Sequence, residues 1–213
     1  MHPPTGRVRI AAPERMSLET VRLFAISKLP WIRRHQHKLQ NQERESPREY
    51  LHQESHYLWG QRRLLRIVWQ DTKSSVSLDH RHIILTVRPH TPAERRGEVL
   101  HEWHKSLLHE VVPGIIKRRE PQLGVTVHRY FLQRMKTKWG SCNHAARHIR
   151  LNTELVKKPR RLLEYVVVHE MIHLLEPTHN VRFMELLERF MPQWQSCRDA
   201  LNRLPMRHEG WNS

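Results

Sequence analysis

Short runs of alternating hydrophobic and polar residues dominate the first ninety residues of the chain. Residues 7–11 alternate in the manner of a strand. Ser17 is a suitable N-cap for a helix that begins at Leu18 and continues into the forties, and Pro30 should split that helix in two. Hydrophobic runs at 56–59, 63–69, 76–78 and 83–87 then predict two hairpin-like pairs of strands, the first with its turn at residues 60–61.

Longer helical periods appear after residue 91. Pro92 opens a helix from Ala93 to about Arg119, which Pro113-Gly114 should bend or interrupt. The remaining pattern predicts strands at 125–131 and 148–152, a loop at 139–143, and helices at 162–175, 183–190 and 194–204. The pattern therefore predicts an α+β protein, with a strand-rich region over residues 1–91 and a second domain over residues 92–213.

The helix predicted at 162–175 carries His169-Glu170-Met171-Ile172-His173, and His179 follows six residues later. Histidines four residues apart lie on one face of a helix and can reach one metal ion. Glu170 lies about 100° around the helix from His169, so it can flank the ion without binding it. Residue frequencies give a chance expectation of roughly 0.01 for this motif with its third histidine. Two core histidines and a surface glutamate are the alternative, but burying such groups without partners is costly.

His179 can join the other two histidines only if the chain bends. A continuous helix would rotate it about 240° from His173. The Glu176-Pro177 step supplies the bend, because proline disfavours helical geometry at the residue before it. Three histidines leave a fourth zinc position for water, which Glu170 is placed to deprotonate. The pattern therefore predicts one Zn²⁺ per chain and a hydrolytic reaction.

Composition narrows the class of protein. A chain of 213 residues with 38% hydrophobic residues can bury a substantial core. The two cysteines, Cys142 and Cys197, are far apart in sequence, which argues against a disulfide scaffold and favours a reducing, cytoplasmic location. No apolar run of membrane-spanning length is present, and the N-terminus lacks the apolar core of a signal peptide.

The net charge of +16 predicts attraction to polyanions, most simply nucleic acid. A merely basic, soluble surface is the alternative, which charge alone does not exclude. No known DNA-binding motif is present, so contacts with nucleic acid would involve its backbone and would not be sequence-specific.

Several segments resemble the YgjP-like metallopeptidase family. They are Met135-Lys136-Thr137-Lys138-Trp139-Gly140-Ser141-Cys142, Leu151-Asn152, residues 165–173, His179-Asn180 and Phe183. The resemblance covers most of the chain and is densest from about residue 125 to 195. A more distant resemblance is to the SprT-like and WLM proteases, which act on protein attached to DNA; its bearing on this chain is by analogy.

The family resemblance implies a zincin-type fold, in which the active-site helix packs on a small, mostly antiparallel sheet. It also implies that His169, His173 and His179 bind zinc and that Glu170 is the catalytic base. Glu176 stands where H-E-x-x-H-x-x-G-x-x-H proteases have glycine. Residues 6–13 resemble the family's N-terminal hairpin without the strand that usually precedes it, which predicts a late start or a truncated first strand.

Five further residues are candidates for substrate or transition-state contacts: Lys136, Lys138, Trp139, Arg147 and Tyr165. An ordinary surface or packing role is the alternative for each of them. Gly140 can let the backbone approach a ligand closely, and Cys142 is either an extra metal ligand or a small buried thiol. The strand at 148–152 is a candidate edge strand for binding an extended peptide, with an interior strand as the alternative.

Taken together, these patterns predict a zinc-dependent metallopeptidase that acts on a peptide or protein, with non-specific nucleic acid as a candidate partner. Two alternatives remain open. The same zinc site and Glu170 can hydrolyse a nucleotide phosphoanhydride, with basic residues holding the phosphates. The chain can also be a nucleic-acid-binding module in which zinc is structural. The sequence does not indicate an oligomeric state.

Overall fold

Two helices make up the first of two units in the computed structural model, which describes residues 8–40, 48–135 and 137–203. The chain divides into units over residues 1–45 and 46–213. The first unit contains α1 (Leu18–Ser27) and α2 (Leu29–Gln40). The Ser17 side chain accepts a hydrogen bond from the Thr20 amide, which confirms the predicted cap, and the helices separate beside Pro30 as expected. Residues 8–11 form no strand, so the prediction for 7–11 is wrong over the part described.

A four-stranded sheet opens the second unit. Its strands are β1 (Ser55–Leu58), β2 (Gln61–Trp69), β3 (Ser75–Leu78) and β4 (His82–Val87), in the order β1-β2-β4-β3. Both predicted antiparallel pairs are confirmed, and β2 and β4 join them in parallel. The first turn lies at Trp59-Gly60, one residue earlier than expected, and both residues have the positive φ of a tight hairpin turn.

Helix α3 (Ala93–Leu123) packs its N-terminal part on this sheet, where Leu100 joins Leu65 and Ile83 in a small core. It continues past Pro113 and ends at Gly124, whose φ of +66° suits a glycine cap. The C-terminal part of α3 contributes Leu108 and Val112 to a second, larger core. One long helix therefore contributes side chains to both hydrophobic cores.

The second core contains a three-stranded sheet of β5 (Arg129–Gln133), β6 (Gly140–Asn143) and β7 (His148–Asn152), in the order β5-β7-β6. The β5–β7 pair is parallel and the β6–β7 pair antiparallel, so this sheet is mixed rather than mostly antiparallel. The predicted loop at 139–143 therefore contains strand β6. The edge-strand prediction for 148–152 is wrong, because β7 is the central strand and β6 lies at an edge.

Helix α4 (Arg160–Ile172) lies at the centre of this core. It follows a short 3₁₀ helix (Thr153–Lys157) and contacts β6, β7, α3, α5 (Val181–Phe190) and α6 (Trp194–Arg203). Nine of its thirteen residues are buried, as expected of a helix surrounded by other elements. The fold is α+β as predicted. The predicted domain boundary between residues 91 and 92 stays a prediction.

Within the described ranges, none of the helices has both the length and the apolar character needed to cross a bilayer.

Candidate active site

The structure brings His169, His173 and His179 together. Each offers a ring nitrogen, and the three nitrogens all lie within 4.8 Å of one another. The Nε2 atoms of His169 and His179 are 3.0 Å apart. A tetrahedral zinc ion with Zn–N distances of about 2.0–2.1 Å holds its ligand nitrogens about 3.3 Å apart. The triad therefore lies close to the spacing that one metal ion requires.

The chain reaches this arrangement by ending α4 at Ile172, immediately before the second histidine. His173 caps the helix, and the amides of Leu174 and Leu175 donate to carbonyls three residues earlier, which tightens the last turn. The predicted break before Pro177 is thus confirmed. Helix α5 then starts afresh at Asn180, whose side chain accepts a hydrogen bond from the Phe183 amide at 3.0 Å.

Phe183 holds the three imidazoles against the core. Its ring centroid lies 5.0, 4.6 and 4.7 Å from those of His169, His173 and His179, and its side chain is fully buried. His173 is also oriented by a hydrogen bond, since its Nδ1 donates to the Glu176 carbonyl at 3.1 Å. That bond leaves the Nε2 atom as the one that can bind a metal.

Burial keeps His169 and His173 in the form that binds metals. It lowers the pKa of His169 to about 3, helped by the nearby His173 and His179 rings. Burial likewise lowers the pKa of His173. Neutral imidazole is the metal-binding state, and an all-nitrogen donor set favours zinc over magnesium or calcium. The residues present therefore fit the metal that the motif implies.

Glu170 lies beside the triad with only 5% of its surface exposed. Burial raises the pKa of its carboxyl group to about 8, and the charge of Lys138 partly opposes this. The carboxylate lies against Gly140 of β6, where a β-carbon would be 2.5 Å from Glu170 Oε1. Gly140 thus makes room for a protein side chain, rather than for the ligand that the sequence suggested.

An open cleft of about 300 Å³ gives access to these groups. It is lined by Lys138, Gly140, Ser141, Cys142, His144, His169, Glu170, His173, Pro177 and His179. Sequence reasoning missed Ser141 and His144, because the pattern over 139–143 predicts a loop, which has no defined face. Burial, with a contribution from Glu170, raises the pKa of the Cys142 thiol to about 11. Within the described residues, Cys142 is not among the converging metal-binding atoms.

Two of the predicted contact residues lie just before β6. Lys138 is exposed and lines the cleft. Trp139 is partly buried against the core, and Lys158 Nζ lies 5.5 Å from its ring centroid. Its surroundings are those of a packing residue.

The other predicted contact residues lie elsewhere. Arg147 donates from Nε to the Thr126 carbonyl at 2.9 Å and does not line the cleft. Tyr165 is buried, with its ring centroid 5.8 Å from that of His169, and burial raises its pKa to about 12. Lys136 lies outside the described residues.

Comparisons with known proteins give the site a context. A family model described as YgjP-like, metallopeptidase domain, matches residues 1–204. No curated protein matches the chain. The crystal structure of the metallopeptidase zymogen of Pyrococcus abyssi abylysin is 18% identical, with a TM-score of 0.40, over 43% of this chain and 91% of that chain. The crystal structure of the metallopeptidase zymogen of Methanocaldococcus jannaschii jannalysin is 21% identical, with a TM-score of 0.37, over 42% of this chain and 92% of that chain. Similarity at this level does not by itself indicate a shared function.

Proposed function

Because the chain belongs to the YgjP-like metallopeptidase family, we propose that it hydrolyses peptide bonds with one zinc ion held by His169, His173 and His179. Glu170 is the general base in this proposal. The observation that carries it is the convergence of three imidazoles beside a buried carboxyl group, at the wall of an open cleft. A purely structural zinc site needs neither the carboxyl group nor the cleft.

A zinc ion bound there supplies Lewis acidity, which polarises water and the substrate carbonyl. Glu170 accepts the proton of the attacking water and returns it to the leaving amine. Positive charge near its carboxyl group favours the ionised form that a base requires, and Lys138 supplies such a charge. Lys138 also faces the cleft, where it is placed to stabilise the negative charge that develops on the carbonyl oxygen.

The edge strand β6 is the proposed site for substrate. It pairs with β7 on one side, and Ser141 and Cys142 of β6 line the cleft beside the triad. An extended peptide can bind along the outer edge of a strand through backbone hydrogen bonds. This arrangement places a peptide backbone beside Glu170 without requiring a particular side-chain sequence.

Metal analysis of the full-length protein tests the proposal. We expect about one zinc per chain in the wild type and in Glu170→Gln, and loss of zinc in His173→Ala. Cleavage of a fluorescently labelled unfolded protein should fall by about 10²-fold or more in Glu170→Gln. The exposed residues Glu185 and His80 provide matched controls, Glu185→Gln and His80→Ala.

Three outcomes separate the proposal from its alternatives. Zinc binding with nucleoside triphosphate hydrolysis but no proteolysis would indicate a phosphoanhydride hydrolase. Zinc binding with neither activity would indicate a structural metal. A folded protein without stoichiometric metal would refute the proposed centre.

A further inference from the structure

The three-stranded sheet has an outer face that the proposed reaction does not use. Successive side chains of a strand point to opposite faces. Ile149 and Leu151 of β7 point into the core and are fully buried, so His148 and Arg150 point outward. The register places Phe131 of β5 and Ser141 of β6 on either side of Arg150. Arg129 lies opposite His148 in the next row. We call these five outward residues, Arg129, Phe131, Ser141, His148 and Arg150, the arginine–phenylalanine face.

The centre of this face is one aromatic ring with two guanidinium groups over it. The Cζ atoms of Arg129 and Arg150 lie 5.8 and 5.6 Å from the Phe131 ring centroid, within cation–π range. The His148 ring meets Phe131 edge-on at 5.5 Å. Both arginines are exposed, and neither forms an ion pair with a carboxylate in the described parts of the chain. Two flat cations are therefore held at the surface with their charges available.

The sequence around this face contains no acidic residue. Residues 121–153 include all three strands and have no Asp or Glu. Their six basic residues are Arg129, Arg134, Lys136, Lys138, Arg147 and Arg150. The rest of the chain has 31 Lys and Arg (37 − 6) against all 21 Asp and Glu, a net charge of +10 spread over 180 residues. The segment 121–153 carries +6 over 33 residues, so its excess positive charge per residue is greater than that of the rest of the chain.

We propose that the arginine–phenylalanine face binds single-stranded nucleic acid. The arginines contact phosphates, and unpaired bases stack on Phe131 and the guanidinium planes, as on other sheet surfaces that combine aromatic and basic residues. An acidic peptide would satisfy the charges but offers no row of flat rings to stack. Nucleobases fit both features of the face.

The face adjoins the cleft through Ser141. This residue lies opposite Arg150 in the sheet and also lines the cleft that contains Glu170. A strand bound on the face would therefore lie next to the proposed active site. Proteins carried on single-stranded nucleic acid would then be presented to the cleft, a consequence that rests on the proposed peptidase function, whereas the binding itself does not.

Fluorescence anisotropy with a labelled 20-nucleotide oligothymidylate and the full-length protein tests the binding. The logarithm of affinity falls with the logarithm of salt concentration by about 0.7 per single-strand phosphate contact, so Arg129→Gln with Arg150→Gln should lower this slope by about 1.4. We expect the Kd of that double variant to rise about tenfold or more at 150 mM salt. Phe131→Ala should raise the Kd by about fivefold or more without changing the slope, because it removes stacking alone.

A charge-matched control is available in the other sheet. Arg66 of β2 and Arg81, before β4, are exposed, and Arg66→Gln with Arg81→Gln removes the same net charge. We expect less than about a threefold change in Kd for this pair. Arg129→Lys with Arg150→Lys keeps the charge while removing the planar groups, so it should retain the salt slope and weaken binding. This pair also keeps the test decisive if Phe131→Ala does not fold.

Three results would overturn the proposal: no binding at 50 mM salt, equal weakening by the two glutamine pairs, or equally tight binding of a polyglutamate peptide at the same residues. The last result would identify an acidic protein as the partner. None of these measurements depends on peptidase activity, so the binding proposal and the proposed function fail separately.

Discussion

A methyl group at position 140 is the smallest change that tests how Glu170 is held. In Gly140→Ala the new β-carbon would lie 2.5 Å from Glu170 Oε1, 2.8 Å from its Cγ and 2.9 Å from its Cδ. Ordinary contacts begin at 3.4 Å, so the carboxylate must move by about 0.9 Å (3.4 − 2.5) or β6 must retreat by that amount. Glu170 is almost fully buried between α4 and β6 and has little room to turn aside.

A displacement of this size should weaken catalysis more than folding. Moving a catalytic group by about 1 Å costs about 10²-fold in rate, which is about 2.7 kcal/mol of transition-state stabilisation. Overpacking of a core costs about 1–3 kcal/mol of folding stability, which the core of this unit should tolerate. We therefore expect Gly140→Ala to lose about 10²-fold in kcat/KM, mostly in kcat, while it retains zinc.

Gly114→Ala is the matched control. Gly114 lies in α3, with nothing within 4 Å of the position that a β-carbon would take, and alanine favours a helix by about 0.5–1 kcal/mol over glycine. This variant should leave kcat/KM unchanged and raise the melting temperature slightly. A folded Gly140→Ala variant that keeps kcat/KM within threefold of the wild type would show that Glu170 is not held against position 140. A loss of activity only in proportion to lost zinc would contradict a displaced Glu170 as the cause.

Three other predictions concern stability. Asn152→Ala should lower the free energy of unfolding, measured with denaturant, by about 2–3 kcal/mol. The buried Asn152 amide donates to the Met135 and Lys138 carbonyls at 2.8 Å each, and the variant would leave both carbonyls without this donor. His104 is buried and its pKa is held well below 6.5, first by burial and then by the charge of Lys157, so it takes up a proton only on unfolding. Its contribution to stability is present above pH 6.5 and is lost as the pH falls below that value. The free energy of unfolding should therefore decline with falling pH less steeply in His104→Leu, by up to about 1.4 kcal/mol per pH unit. Removing zinc with a chelator should lower the melting temperature by about 5–10 °C if free zinc was 100 times its Kd, and leave that of His173→Ala unchanged.

The histidine triad was predictable because its determinants are local. The helix period places His169 and His173 on one face, and the proline after Glu176 ends that face before His179. The packing of Phe183 against all three rings was not predicted, although its spacing of four residues from Leu187 marks both as inward positions of α5. Local periodicity thus identified the residues of the triad but not the contact that holds them.

Strand order was not predictable, because it depends on pairing between distant segments. The residues of β6 are Gly140-Ser141-Cys142-Asn143, and none is a strong strand former. The segment is a strand only because β7 pairs with it. The same long-range pairing puts β7 in the centre of the sheet, which no pattern within His148–Asn152 reveals. Likewise, the requirement for glycine at position 140 becomes visible only once Glu170 lies above it.

Strand β6 links the two proposals, since its alternate residues face different partners. Gly140 and Cys142 face Glu170 on the inner side, whereas Ser141 points towards the arginine–phenylalanine face. A one-residue slip in the β6–β7 register would exchange the two sets. The turn before β7 fixes this register, and Arg147 in that turn has a φ of +54° and donates to the Thr126 carbonyl. The register of one short hairpin therefore sets both the space beside Glu170 and the edge shared by the cleft and the proposed nucleic-acid surface.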